Sequence, residues 1–230
     1  MSSEYGDDGD YVVAYRTNQV LTEMFNLLYA ALGAQNWWPA ETELEMMVGA
    51  ILTQNTNWNN VEKAIENLRK GDLLSVAELR DIPISVLAEY IRPAGYYNIK
   101  ARRLKNLIGH IEATHDGDIN TFLSLDTDAL RAELLSIRGI GRETADSIVL
   151  YGAGRPLFVI DTYTYRILAR HGIIHEEAGY DELQSLFMDN LPHDVELFKE
   201  FHALIVKTGK VYCRKKPLCP TCPLDTFSRV

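Results

Sequence analysis

Apolar residues recur along most of the chain at the three- to four-residue spacing of an amphipathic α-helix. The segment TNQVLTEMFNLLYAALG carries one apolar stripe and ends at Gly33. The segment TELEMMVGAIL repeats the spacing and opens with the capping box Thr42-x-x-Glu45. A second box, Ser75-x-x-Glu78, opens a shorter helix. Later segments continue the spacing at Val61, Ile65, Leu68, Leu104, Leu107, Ile108, Ile111, Leu130, Leu134, Leu135, Ile148 and Val149. The pattern therefore predicts an all-α fold.

One short segment departs from the helical pattern. PLFVI, residues 156–160, is typical of a strand but is too short and isolated to build a sheet. The chain has 230 residues, of which 47% are hydrophobic, so it can bury one large core or two small ones. It contains no Pro-rich joint or low-complexity linker, so a division into two domains must come from the packing of helices.

The chain carries no sign of a membrane or secreted protein. No apolar run approaches the roughly 18 residues of a membrane span. The first residues, MSSEYGDDGD, are acidic, where a signal peptide would be basic and then apolar. We therefore expect a cytoplasmic protein that makes no membrane contact.

The formal net charge of −9 argues against a nucleic-acid partner until the charges are mapped along the chain. Many of the acidic residues lie in two segments without lysine or arginine, residues 1–10 and 176–196, so the rest of the chain is slightly basic. Basic residues cluster at Lys100, Arg102, Arg103, Lys105, Arg138, Arg142, Arg214, Lys215 and Lys216. Such clusters form either a basic face for nucleic acid or ordinary solvated helix surfaces.

The most informative stretch is LLSIRGIGRETADSIVLYGAGRPLFVIDTYTYR, residues 134–166. A helix, the turn RGIGR and a second helix predict a helix-hairpin-helix, in which Gly139 and Gly141 supply the positive φ of a sharp reversal. These glycines would also leave the backbone amides of the turn uncovered, and bare amides at a helix N-terminus bind phosphate oxygens. An ordinary corner between two helices is the alternative.

The hairpin followed by FVIDTYTYRIL resembles the helix-hairpin-helix and Gly/Pro-Asp signature of the endonuclease III superfamily of DNA glycosylases. IRPAGYYNIKARRLKNL and GAILTQNTNWNNV match further stretches of that family, so the resemblance spans roughly residues 37–222. It implies two helical domains with a DNA-binding cleft between them: residues 1–40 with 155–230, and a helical barrel at 41–154. It also implies a monomer that binds double-stranded DNA containing a damaged base. The phosphate contacts would come from Arg138, Gly139, Gly141, Arg142 and Thr144.

The catalytic position departs from part of the family. Bifunctional members carry a lysine nucleophile where this chain has Glu143, and a carboxylate cannot be that amine. The resemblance leaves Asp161 to stabilise the oxocarbenium-like sugar or to orient water for attack at C1′, which is monofunctional base removal without a cofactor. Asp161 is equally placed to cap a helix. Two alternatives stay open: a bifunctional oxidised-pyrimidine glycosylase that uses Lys207 or Lys210, and a non-catalytic damage-binding protein.

WWPAETELEMMVGAILTQNTNW resembles the 3-methyladenine DNA glycosylases of this fold, in which aromatic residues and a proline sandwich the flipped base. By position, the resemblance assigns the base pocket to Trp37, Trp38, Pro39, Trp58 and Glu143. An electron-poor alkylated purine stacks well on indole. Gln54 matches the wedge that fills the gap left in the duplex. The alternatives are tryptophans in the core and a glutamine that makes local hydrogen bonds.

The three cysteines, Cys213, Cys219 and Cys222, lie within the last eighteen residues. CRKKPLCPTCPLDTFS resembles the 4Fe-4S loop of the family, but the first spacing is one residue short and Ser228 stands at the fourth position. Three thiolates can hold a cluster with Ser228 or solvent as fourth ligand, or zinc with a histidine such as His202. A metal-free loop is the alternative, and in either case we expect a structural role.

Overall fold

The computed structural model describes residues 8–227, with side chains from residue 17 onward, and every regular element in this range is helical. The α-helices, numbered α1 to α12 in chain order, are Asp8–Leu32, Glu43–Thr53, Trp58–Lys70, Val76–Asp81, Ile84–Tyr90, Tyr97–His115, Ile119–Ser124, Thr127–Ser136, Arg142–Ser147, Thr162–Arg170, Tyr180–Met188 and Val195–Val211. Short 3₁₀ turns lie at Arg92–Ala94 and Cys219–Thr221, and a π-helical segment, Ile148–Gly152, follows α9. The all-α prediction is confirmed, and residues 156–160 lie outside any helix or strand.

The helices pack into two compact units. Among the described residues, one unit comprises residues 8–37 together with residues 156–227, and the other comprises Trp38–Arg155. In the first unit α12 packs against α1 and α10. In the second unit α2 packs against α3, α6 and α9, and it is buried on almost all sides.

The segment that precedes α10 is held in place by an aromatic cluster in the first unit. The ring of Phe158 stacks on Phe187 with centroids 3.8 Å apart, and Phe198 and Phe201 meet it edge-on. All four side chains are completely buried. Because this cluster fixes the chain at Phe158, three residues before Asp161, it also fixes the position of Asp161 at the start of α10.

Both predicted capping boxes begin helices, but only half of the first box forms. Thr42 Oγ1 accepts a hydrogen bond from the Glu45 backbone N–H at 3.1 Å, and Ser75 Oγ accepts one from the Glu78 N–H at 3.2 Å. The Glu45 carboxylate, which is buried, instead accepts two hydrogen bonds from Arg69 at 3.0 and 2.9 Å. A long-range ion pair between α2 and α3 therefore replaces the local contact that the sequence pattern suggests.

A buried lysine joins α6 to the end of α2. Lys100 is 1% exposed, and its Nζ donates hydrogen bonds to the Leu52 and Ala94 carbonyls at 2.8 Å each. Burial, with a smaller contribution from the positive charge of Arg103, lowers the pKa of Lys100 to about 8. This contact satisfies a carbonyl in the last turn of α2, two residues before Gln54.

Candidate functional site

The predicted hairpin is formed by α8, α9 and the turn between them. Gly139 has φ +103°, a conformation that favours glycine, whereas Gly141 has φ −98° and ψ 179° and serves as N-cap of α9. The expectation that both glycines need positive φ is therefore wrong for Gly141, because the reversal is completed at Gly139. A Cβ added at Gly141 would meet no atom within 4 Å. The start of α9 is thus open to an approaching group.

The two helices of the hairpin are joined by an ion pair that the sequence did not reveal. Arg131 on α8 contacts the fully buried carboxylate of Asp146 on α9, with Nε to Oδ1 at 2.6 Å. The Asn106 side chain also donates a hydrogen bond to the Arg138 carbonyl at 2.7 Å. The side chains of Arg138 and Arg142 are exposed on either side of the turn. The turn therefore presents basic side chains on a well-anchored backbone.

Gln54, the predicted wedge, is bound to the hairpin. Its Nε2 donates to the Gly139 carbonyl at 3.2 Å and to Thr144 Oγ1 at 2.9 Å, and its Oε1 accepts a hydrogen bond from Arg103. Both the nitrogen and the oxygen of the Gln54 side-chain amide therefore have hydrogen-bond partners. Thr144 is buried, so its hydroxyl faces Gln54 rather than the surface where a phosphate would arrive. Any phosphate contact at Thr144 would have to come from its backbone.

The tryptophans predicted for the base pocket are half-buried. In the second unit, Trp38 meets Trp58 edge-on with centroids 5.2 Å apart and an interplanar angle of 88°, and it meets Tyr151 at 5.4 Å. Trp38 also lies on Gly49 of α2, where an added Cβ would come within 3.2 Å of Nε1. Pro39 is exposed beside this cluster, and Trp37 belongs to the first unit. Perpendicular rings in contact leave no parallel slot between Trp38 and Trp58, so a stacked base would use one face of a ring.

Glu143 and Asp161 occupy different environments. Glu143 is exposed in the first turn of α9. Asp161 is buried and caps α10: its Oδ1 accepts hydrogen bonds from the Thr164 N–H at 2.7 Å and the Thr164 hydroxyl at 2.8 Å. The capping interpretation of Asp161 is confirmed, and it uses only one of the two carboxylate oxygens.

The other oxygen of Asp161 faces His202 of α12, and the charges of Asp161 and Lys210, on the same helix, influence each other. Oδ2 lies 3.9 Å from His202 Nε2. Burial lowers the pKa of His202, the Asp161 charge opposes this shift, and Lys210 adds to it. Partial burial of the Lys210 amine likewise lowers its pKa, again against the effect of Asp161. Asp161 therefore lies beside a neutral histidine and a lysine amine that loses its proton more readily than usual.

The cysteine loop does not form a metal centre in this arrangement. Cys213, Cys219 and Cys222 line one cavity of about 220 Å³, but among residues 17–227 no group of three or more His, Cys, Asp or Glu side chains could hold a metal ion. Cys213 Sγ accepts a hydrogen bond from Arg170 at 3.2 Å, and burial raises the pKa of the Cys222 thiol.

Of the two protein side chains suggested as additional ligands of the cysteine loop, only His202 lies within the described residues. His202 contacts Asp161 and does not line the cavity with the cysteines, so its suggested role as a zinc ligand is not supported. Ser228 lies outside the described residues. Within residues 17–227 the side chains therefore do not fit a cluster or zinc. The Arg170 guanidinium contacts the loop and also donates a hydrogen bond to the Arg214 carbonyl at 2.7 Å.

Comparison with known proteins agrees with this architecture. The family model described as HhH-GPD superfamily base excision DNA repair protein matches residues 48–193. The chain belongs to this family, and it is a DNA glycosylase of base excision repair.

No described helix has the length and apolar character needed to cross a membrane.

Individual proteins resemble this chain over most of its length. A Methanocaldococcus jannaschii protein named provisionally as a DNA repair glycosylase is 50% identical over 211 residues, 91% of this chain and 96% of that protein. The structure of H. pylori 3-methyladenine DNA glycosylase (MagIII) bound to 1,N6-ethenoadenine has a TM-score of 0.69 at 30% identity, covering 86% of this chain and 97% of that one. A trapped endonuclease III–DNA covalent intermediate has a TM-score of 0.79 at 23% identity, covering 92% and 95%, and it shares the fold.

Proposed function

We propose that this glycosylase is monofunctional and hydrolyses the N-glycosidic bond of alkylated purines such as 3-methyladenine, acting as a monomer on double-stranded DNA without a cofactor. The observation that carries the proposal is Glu143, an exposed carboxylate on α9 where the resemblance places the lysine nucleophile of bifunctional members. An amine is required to form a Schiff base with the sugar, so this position cannot supply it.

Asp161 is the proposed catalytic residue. As positive charge develops on the sugar, a fixed carboxylate beside it stabilises the transition state, and it can also orient the attacking water. The two Thr164 hydrogen bonds hold one oxygen of Asp161, so the direction of the other is set in advance. A neutral His202 leaves the carboxylate charge uncompensated from that side.

The proposed substrate class rests on the aromatic cluster and on MagIII. An alkylated purine with positive charge is attracted to the face of an indole ring. Trp38 and Trp58 are half-buried and held against each other, which would keep a ring face ready for a flipped base without reorganisation. The MagIII relative, a 3-methyladenine glycosylase, is 30% identical over most of both chains.

Borohydride trapping on DNA with an abasic site tests the monofunctional assignment. We expect no covalent complex with the natural protein, and strand cleavage only after added alkali. Glu143→Lys is the matched positive control, because it restores an amine at the position of the lysine nucleophile. Efficient trapping by the natural protein would show that the assignment is wrong.

A second candidate function is supported by Lys210. Its lowered pKa and its position near Asp161 suit an amine nucleophile, so a bifunctional enzyme that uses Lys210 is the competing proposal. If trapping occurs, Lys210→Met should abolish it while Lys207→Met leaves it intact. Trapping that survives both changes would exclude both lysines.

A further inference from the structure

Next to the aromatic cluster lies a carboxylate that the sequence motifs do not include. Trp58 Nε1 donates a hydrogen bond to Glu62 Oε1 at 2.7 Å. The two residues are four apart on α3, so they share one face of that helix. The hydrogen bond fixes the orientation of the indole and places negative charge at the edge of its ring.

Trp58 and Glu62 line a groove of about 420 Å³, which is within the size range of small-ligand pockets. The other lining residues are Pro39, Glu45, Lys63, Ile65, Glu66 and Arg69. Pro39 and Trp58 are two of the residues assigned to the base pocket by resemblance. The groove therefore combines a predicted stacking surface with ionisable side chains.

Most acidic side chains of this groove are already paired. Glu45 binds Arg69 through both oxygens, and Glu66 lies 3.0 Å from Lys70 and 3.4 Å from Arg69. Among the side chains from residue 17 to 227, Glu62 forms no ion pair. Its charge is therefore available to a cation in the groove, with the indole N–H as its one fixed partner.

We propose that Glu62, through its contact with Trp58, selects cationic alkylated purines over neutral damaged bases. The inference rests on the proposed function, because it assumes that the flipped base stacks on Trp58. A purine alkylated at N3 or N7 in DNA carries a positive charge spread over its ring, and that charge is attracted to the indole face. A carboxylate bonded to the indole N–H makes that face more negative, whereas a neutral base gains only the stacking.

Glu62→Gln is the direct test, because glutamine keeps an oxygen that accepts from Trp58 but removes the charge. Single-turnover excision is measured on matched duplexes carrying 7-methylguanine, which is cationic, or 1,N6-ethenoadenine, which is neutral. We expect the rate ratio of the cationic to the neutral lesion to fall about fivefold, the scale of one cation–π contact at an exposed site. Glu89→Gln, which removes an exposed carboxylate of α5 that pairs with Arg92, should leave the ratio unchanged.

A double-mutant cycle separates selectivity from a structural role. Trp58→Phe keeps an aromatic ring but removes the N–H that orients Glu62, so it should also lower the ratio. Adding Glu62→Gln to it should cause much less further loss than Glu62→Gln causes alone. Melting temperatures of all variants are compared first, so that excision is measured on folded protein.

One result would overturn the inference while leaving the proposed function intact: an unchanged rate ratio in Glu62→Gln, whether both rates stay the same or both fall equally. If the natural protein released neither these two lesions nor 3-methyladenine from methylated DNA, the proposed substrate class would be refuted, and the role of Glu62 with it. These outcomes are distinguishable within one set of rate measurements.

Discussion

Gly139 and Gly141 differ in conformation, so replacing each with alanine should affect different properties. At Gly139, φ is +103°, and an added Cβ would lie 2.4 Å from Arg103 Cγ and 3.0 Å from Cδ. At Gly141, φ is −98° and the space is open. Gly139→Ala should therefore destabilise the folded protein, while Gly141→Ala should leave its stability almost unchanged.

The magnitude for Gly139→Ala comes from two contributions. Holding an L-residue at positive φ costs about 1–2 kcal/mol. Arg103 must also move away, which breaks its hydrogen bond to Gln54 and costs about 1–2 kcal/mol more. A loss of roughly 2–4 kcal/mol should lower the melting temperature by about 5–15 °C for a chain of this size.

Gly141→Ala should weaken DNA binding without unfolding the protein. Alanine can adopt the backbone conformation of residue 141, so the change in the free energy of unfolding should stay within about 1 kcal/mol. The new methyl group would stand over the open amides at the start of α9, where the phosphate is proposed to bind. Affinity should fall equally for damaged and undamaged duplexes, because phosphate contacts carry no sequence information.

Thermal unfolding and duplex binding, measured on both variants, check this reasoning. Equal losses of melting temperature would contradict the conformational difference between the two glycines. If Gly141→Ala bound DNA as tightly as the natural protein, the proposed phosphate contact at this turn would be refuted.

Three further predictions address the carboxylate, the buried lysine and the cysteine loop. Asp161→Asn should reduce excision by about 10²-fold or more with nearly unchanged melting temperature, because asparagine caps a helix as well as aspartate; normal excision would reduce Asp161 to a cap. Lys100 has a pKa of about 8 in the folded protein, whereas its ordinary value is 10.5. Because the unfolded chain keeps this proton to higher pH, the free energy of unfolding should rise from about pH 8 to about pH 10.5. Urea unfolding across that range should show the rise in the natural protein and lose it in Lys100→Met, and an identical slope in both would contradict the assignment. Cys219→Ser should not change the melting temperature, because the thiol is exposed and no metal is expected; a metal-containing preparation that loses both metal and stability would reverse this conclusion.

Local sequence signals predicted the helices well, because their causes are local. The spacing of apolar residues and the caps at Thr42 and Ser75 depend on neighbours within a few positions. The partner of Glu45 could not be read this way, because Arg69 lies on another helix and competes with the cap for the carboxylate. The burial of Lys100 could not be predicted either, since a lysine in a basic stretch normally faces solvent.

In the candidate site, too, interactions between residues far apart in the sequence could not be predicted. The G-x-G pattern located the turn but could not show which glycine takes the positive φ, because that depends on the exit path of the chain into α9. The interactions of Gln54 with the hairpin connect residues 85 and 90 positions apart, and no periodicity reveals such pairs. The Trp58–Glu62 pair had a visible signal, the four-residue spacing on a helix, but that spacing is common on solvated surfaces.

Asp161 can serve as a cap and as the proposed catalytic carboxylate because the two roles use different oxygens. Oδ1 takes both hydrogen bonds from Thr164, while Oδ2 faces His202 at 3.9 Å. Burial lowers the pKa of His202, which favours a neutral imidazole beside Oδ2, so that ring adds no full positive charge there. The cap thus fixes the direction of the second oxygen, and a neutral imidazole brings no opposing charge to it; both properties help to stabilise a developing sugar cation. A side chain that capped through both oxygens, or that paired with a protonated histidine, would lose one of them.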